Sequence, residues 1–359
     1  MTTSEGGTLI HDPEAAAGAA RLRYVSDEEA GYRRRRRGRG FSYHDETGEV
    51  ITDPNVRARI ENLAIPPAWT DVWICRSGNG HIQATGRDEA GRKQYIYHPK
   101  WREVRDHAKF GHLIAFGEAL PGLRRRVRRD LQKGDLDLRQ VTAAVIKLMD
   151  ATLIRVGNRS YAKTNHSYGL TTLRDKHVHI EGERIELSFT GKAGLEHDIS
   201  LRNEQLARIV QQCEDIPGYE LFQYVGEDGE KHVLDSSDVN LYLAEVSGNG
   251  VTAKDFRTWG GTVLAAEHLS DAGQPARQAD AKRMLAQAVR EVASALGNTP
   301  AVCRQSYIHP TILEDYQQGA FGEAYRRSLA AVRHGRPKEL RLHEAATLDY
   351  LRRTEAGPD

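Results

Sequence analysis

The chain has 359 residues, of which 39% are hydrophobic and 28% charged, enough apolar material for two packed domains or at most three. No apolar run is long enough to span a bilayer, and no apolar signal core follows a basic start, which argues against a membrane or secreted protein and for the cytoplasm. The formal net charge of +1 hides an asymmetry: residues 21–200 hold 33 Lys and Arg against 24 Asp and Glu, while both flanks are acidic.

The basic excess is concentrated in "RRRRRGR" (Arg33–Arg39) and "RRRVRR" (Arg124–Arg129). Such runs attract polyanions, nucleic acid above all; the plainer alternative is a solvated face or a flexible arm. Cys75, Cys213 and Cys303 stand far apart with no CxxC spacing, so they read as ordinary buried thiols in a reducing compartment.

In chain order, residues 1–20 read as a disordered lead-in. Residues 21–103 are β-rich: "FSYHDETGEVIT", "TDVWIC", "HIQATG" and "GRKQYIYH" are short strand-formers separated by Gly turns. In the last of these, a period of two puts Lys93, Tyr95 and Tyr97 on one face, with Gln94 and Ile96 on the other. A cation beside two aromatics suits phosphate and base or sugar surfaces, and equally suits a tyrosine pair packing across a sheet.

Helical periodicity begins near Trp101 and dominates residues 104–335. Its clearest stripe is Val141, Ala144, Val145, Leu148, Thr152 and Val156, with Gly157 as the expected stop. "HVHI", "RIELSF" and "HDISL", joined by Gly turns, predict a three-stranded antiparallel insertion. Residues 336–359 read as one more helix and a polar tail. The expected class is therefore α+β: a small antiparallel β domain, then a larger, mainly α domain carrying a three-stranded insertion.

Five polar residues stand at element ends, where a fold presents side chains on rigid supports. Arg155 follows the striped helix, Lys192 lies in the tight "TGKAG" turn, and Arg257 precedes two glycines in "KDFRTWGG". Asn298 follows "VASALG", and Tyr307 lies nine residues further on in "RQSYIHP". Each has a plain alternative: a helix-end charge, a solvated turn residue, a partner for Asp255, a turn asparagine, a packing aromatic. Spacing alone does not assemble them.

"RVGN" (155–158), "FTGKAGLEH" (189–197), "KDFRTWGG" (254–261) and "GNTPAVCRQSYIHP" (297–310) resemble, in order, the active-site boxes of type IB DNA topoisomerases of the compact, poxvirus-like branch found in bacteria. "GRDEAGRKQYIYH" (86–98) resembles the DNA-contacting segment of that family's β domain. The resemblance implies Tyr307 as nucleophile and Arg155, Lys192 and Arg257 as basic catalytic residues. Asn298 falls where many relatives have histidine, so a neutral amide donor stands in for an imidazole.

By the same resemblance Gln94, Tyr95, Tyr97 and Lys254 contact DNA, and Lys93 joins them from its place on the Tyr95–Tyr97 face. It implies a monomer acting on double-stranded DNA, associated with the nucleoid, with no nucleotide cofactor and no metal. The competing expectation is a tyrosine recombinase, which uses the same residue classes but usually carries a helical N-terminal clamp. His177, His179 and His197 suggest zinc only superficially, since no cysteine or carboxylate motif completes a tetrahedral set.

Overall fold

The computed structural model describes residues 12–248 and 250–356, and of 106–109 the backbone alone. It divides into two compact units, 1–112 and 113–359, so the division falls nine residues beyond the expected one. The α+β class is as expected.

The first unit begins with α1 (Pro13–Ala19), inside the stretch expected to be disordered. Residues 1–11 of that stretch lie outside the described residues. Asp12 caps α1 by accepting from Glu14 N and Ala15 N, and Ala16 and Ala17 are buried with Trp101 in a small cluster. The helix is explained by long-range burial of its alanines, which the short local stretch does not reveal.

Strands β1 (Gly31–Arg37), β2 (Gly40–His44), β3 (Thr70–Cys75), β4 (Ile82–Arg87) and β5 (Lys93–Tyr97) form one antiparallel sheet in the order β2-β1-β3-β4-β5. The arginine run is thus neither an arm nor a loop but a strand, paired with β2 from Arg33↔His44 to Arg37↔Gly40. Helix α2 (Pro54–Asn62), which strand-like patterning had hidden, packs Ile60 against Val72, Ile74 and Ala84 of the sheet.

Helix α3 (Pro99–Leu131) runs unbroken through Pro121. The ring forfeits one backbone hydrogen bond there, and buried Phe116, Leu120, Leu123 and Val127 on both sides hold the helix in place. The second basic run lies on its last turns and is largely neutralised. Arg124 is buried between Asp150 (2.7 Å) and Glu344 (2.7 Å), and their carboxylates raise its already high pKa against the opposing effect of burial. Arg126 pairs with Asp130 at 2.8 Å, and Arg125 and Arg128 face Glu339.

In the second unit, α4 (Leu138–Thr152) buries Val141, Ala144, Val145 and Leu148 as its periodicity predicts. It stops at Thr152, five residues before the expected glycine, because Leu153 takes a left-handed conformation (φ 57°) as its C-cap. Helix α5 (Arg159–Asn165) follows. The insertion is an antiparallel sheet of β6 (Val178–Glu181), β7 (Arg184–Thr190) and β8 (Glu196–Arg202).

After α6 (Glu204–Glu214), a short β9 (Gln223–Val225)–β10 (Lys231–Val233) hairpin appears that patterning did not indicate. Helices α7 (Ser236–Ser247), α8 (Ala253–Ala272), α9 (Gln278–Leu296), α10 (Pro300–Ser306), α11 (Pro310–Gln318), α12 (Phe321–Val332) and α13 (Leu342–Ala356) complete the unit. Among the described residues no helix is long and apolar enough to cross a membrane.

Candidate active site

Helix α8 is the main support of the site. Its start is fixed by a capping box in which Thr252 N donates to Asp255 Oδ2 at 2.7 Å, so Asp255 serves the helix end. One half-turn later Arg257 points inward and is 4% exposed. Its terminal nitrogens donate to two main-chain carbonyls, Leu153 O and Leu296 O, the latter at 2.6 Å. These carbonyls close α4 and α9, where a cation is favoured by both helix dipoles. Burial and the neighbouring Arg155 push Arg257 down to about 10, still a cation at neutral pH.

The two glycines after Arg257 let other chain segments approach α8. A Cβ on Gly260 would lie 2.6 Å from the Leu153 methyls, and one on Gly261 would lie 2.6 Å from Tyr307 O. Tyr307 itself caps α10, its N–H donating to Cys303 O at 2.9 Å. Its ring is half-buried, with the Arg257 guanidinium 5.2 Å from the ring centroid.

Arg155 lies three residues past α4, its carbonyl held by Leu170 N at 2.9 Å. Its guanidinium donates to Asn298 Oδ1 and, at 3.4 Å, to Gly297 O; burial lowers its pKa. Gly297 ends α9 in the left-handed region (φ 57°), which turns Asn298 toward Arg155. The amide oxygen of Asn298 is therefore engaged, while its Nδ2, like Arg257 Nε, is buried without a partner among the described residues. A buried donor left unmade costs about 1–3 kcal/mol, and neither nitrogen is open to solvent in this conformation.

Arg155, Lys192, Lys254, Arg257 and Tyr307 line one cavity of about 290 Å³. Lys192 reaches it from the β7–β8 turn, where Ala193 is left-handed (φ 65°). It is exposed, as are Ala193 and Gly194 beside it. Tyr161 and Tyr168, from α5 and the loop after it, also line the cavity. The sequence reading passed over them because it did not identify α5, although Asn158, three residues before Tyr161, is a legible N-cap.

His197 sits beside this constellation. It stacks on Phe189 (4.9 Å) and packs against Gly191 and Gly297, and burial together with Arg155 and Arg257 lowers its pKa. His177 accepts from Arg174 N at 3.0 Å, in a short turn before β6 rather than on the strand with His179. The three histidines are separately engaged or placed, and no group of metal-binding side chains forms among the described residues.

The residues expected to touch DNA in the first unit are more constrained than their sequence suggested. Lys93 and Tyr95 lie on one face of β5, but Lys93 is paired with Asp27 at 2.7 Å. Tyr97 stacks on Tyr95 (5.7 Å) and on Trp101 (6.4 Å), so part of its role is packing. Gln94, on the opposite face, donates to Asp88 Oδ2 at 2.9 Å.

Residues 98–331 match the family described as "Eukaryotic DNA topoisomerase I, catalytic core", and residues 40–88 match "Bacterial DNA topoisomerase IB, N-terminal domain". The chain is 33% identical over 293 residues to a DNA topoisomerase 1B of Acanthamoeba polyphaga mimivirus, covering 80% of this chain and 87% of the relative. It is 22% identical over 283 residues to the DNA topoisomerase 1B of vaccinia virus, strain Copenhagen (77% and 87% covered). With the DNA topoisomerase 1 of rabbit fibroma virus it shares 24% over 297 residues (77% and 89%).

Proposed function

The chain belongs to the type IB DNA topoisomerases, and from that membership we propose how its own residues nick and reseal DNA. The reading rests on one observation: a phenol, two guanidiniums and an ammonium from separate elements line a single cavity.

Tyr307 Oη attacks a backbone phosphorus. A P–O bond to Tyr307 forms, the P–O5′ bond breaks, and the strand is left as a 3′-phosphotyrosyl ester with a free 5′ hydroxyl. Phenol, with a pKa near 10, is a better leaving group than the sugar hydroxyl it displaces, so the reverse attack reseals the strand without ATP. In the transition state the nonbridging oxygens gain charge. Arg155 and Arg257 take them, aided by Asn298 Nδ2, and Lys192 protonates the departing 5′ oxygen.

Arg257 must release or share its carbonyl contacts at Leu153 and Leu296 to grip phosphate. Its stacking on Tyr307 already sets the cation beside the nucleophile. Lys254 at the cavity rim and Lys93, Tyr95, Tyr97 and Gln94 on the β unit hold duplex DNA by its backbone. While the 3′ end is held, the free 5′ end rotates and supercoils are released. The enzyme works as a monomer on nucleoid DNA in the cytoplasm.

The test is plasmid relaxation in EDTA without ATP. Wild type should relax the plasmid and form a covalent adduct with a nicked strand; Tyr307→Phe should do neither while still binding duplex. A Phe variant that still relaxes DNA removes Tyr307 as nucleophile. Labelled strands exchanged between two duplexes would instead favour a recombinase.

A further inference from the structure

We propose that strand β1 is a phosphate-binding track in which Arg33, Arg35 and Arg37 hold the backbone of duplex DNA. The proposal rests on the DNA-relaxing reading above and gives the arginine run a role within it.

The strand's pleat divides the run in two. Arg34 points to the packed side: its guanidinium donates to Ile65 O (3.1 Å), Pro66 O (3.0 Å) and Trp69 O (2.7 Å) and lies 4.1 Å over Phe41. That arginine is structural, closing the loop after α2 onto the sheet. Arg33, Arg35 and Arg37 point the other way, by the period of two.

Register fixes which face that is. Arg33 pairs with Trp73, Trp73 with Thr85 and Thr85 with Tyr95, and directly paired residues share a face. The three arginines and Tyr95 therefore lie on the same side of the sheet. Between them the 25–29 segment covers the sheet: Val25 packs on Trp73, whose Nε1 donates to Glu29 O, and Asp27 is bonded to Thr85 and Lys93, leaving the arginine strip exposed.

The strip's β2 neighbours are low and carry no negative charge: Gly40, Ser42 and His44, the last two bonded to each other at 2.9 Å. None of Arg33, Arg35 and Arg37 has a carboxylate partner among the described residues, whereas the second basic run meets Asp130, Asp150, Glu339 and Glu344. The same residue type is thus used in two ways, internal pairing in the helical unit and an unpaired strip in the β unit.

Alternate residues of an antiparallel strand are about 6.8 Å apart, twice the about 3.4 Å axial rise per phosphate of one DNA strand. At that spacing two like charges repel even in water, and a polyanion lying along the strip reverses the sign of each interaction. A row of exposed guanidiniums at this spacing matches phosphate oxygens along one strand, each able to be gripped by two N–H donors.

The test is affinity for a plain duplex, measured by fluorescence anisotropy across salt concentrations, with full-length protein. Replacing Arg33, Arg35 and Arg37 together by Ala should flatten the slope of log K against log salt by about 2–3, as expected for three lost phosphate contacts. The Lys triple variant should keep most of the slope. Should the Ala triple fail to melt cooperatively, the single Arg35→Glu variant, at an exposed position, should weaken binding and reduce the slope. An unchanged slope in a folded variant overturns the proposal. Relaxation by wild type is run alongside: wild type that relaxes DNA while the Ala triple keeps its slope defeats only the strip, and wild type that fails to relax defeats the function on which it rests.

Discussion

Gly261→Ala isolates the contact that seats the nucleophile. A methyl at this position would stand 2.6 Å from Tyr307 O, 3.3 Å from Tyr307 Cβ and 3.2 Å from a Leu296 methyl. An ordinary carbon–oxygen contact is well beyond 3 Å, so the Tyr307 backbone must retreat from α8 by most of an ångström, which also stretches the Thr262 Oγ1 contact to Tyr307 O (3.5 Å) just past the end of α10. Misplacement on that scale costs on the order of 10²-fold in rate.

Stability should change far less. Overpacking costs about 1–3 kcal/mol, and replacing glycine inside a helix returns about 1 kcal/mol. A net loss of up to about 2 kcal/mol would lower Tm by no more than about 8 °C in a unit of this size. The assay is single-turnover cleavage of a suicide duplex at saturating enzyme, beside a thermal melt. Gly260→Ala is the internal comparison, since the nearest atoms to its methyl belong to the movable Leu153 side chain rather than to Tyr307, and it should slow cleavage less. A Gly261→Ala enzyme that folds and cleaves within about twofold of wild type would refute the view that backbone packing against α8 positions the phenol.

Three further outcomes follow from the same coordinates. Removing one charged contact on the scissile phosphate, as in Arg257→Ala, should slow cleavage about 10²–10³-fold, read in the same single-turnover assay; a loss under tenfold would count against its role. Arg124→Ala should destabilise by about 3–5 kcal/mol in urea denaturation, because it strands Asp150 and Glu344, whereas exposed Arg125→Ala should stay within about 1 kcal/mol. Equal effects would show that the buried network is not what holds α3 to α13.

His197 supplies the pH prediction. Burial, then Arg155 and Arg257, lower its pKa from 6.5, so below that value the unfolded chain binds the proton more readily than the folded one. The sign follows: His197 lowers stability as pH falls through 6.5 toward its folded pKa, and has no such effect at higher pH. Denaturation midpoints at about pH 7.5 and pH 5 should diverge less in His197→Asn than in wild type. Identical divergence would exclude the half-buried imidazole of His197 as a source of the acid-side loss.

Much was legible in the sequence where the physics is local. The striped face of α4, the alternation in β5 and the Gly-bounded turn carrying Lys192 follow from neighbours a few residues apart, and those elements stand where they were expected. Other features were locally written but outweighed: α2 has an Asp53 cap and a proline at its start, yet sits among strand-formers. Helix α1 read as disordered lead-in because the partner that buries its alanines, Trp101, is more than eighty residues away.

Tertiary structure alone decided which charges are free. The two arginine runs are nearly interchangeable as text, but Arg124 finds carboxylates 26 and 220 residues distant, while Arg33, Arg35 and Arg37 find none among the described residues. It also decided that Arg257 joins the ends of two helices, through carbonyls 104 and 39 residues away, beside the ring of Tyr307. Periodicity reports which way a side chain faces on its own element; what it meets there depends on chain closure over long separations, which no short stretch of residues encodes.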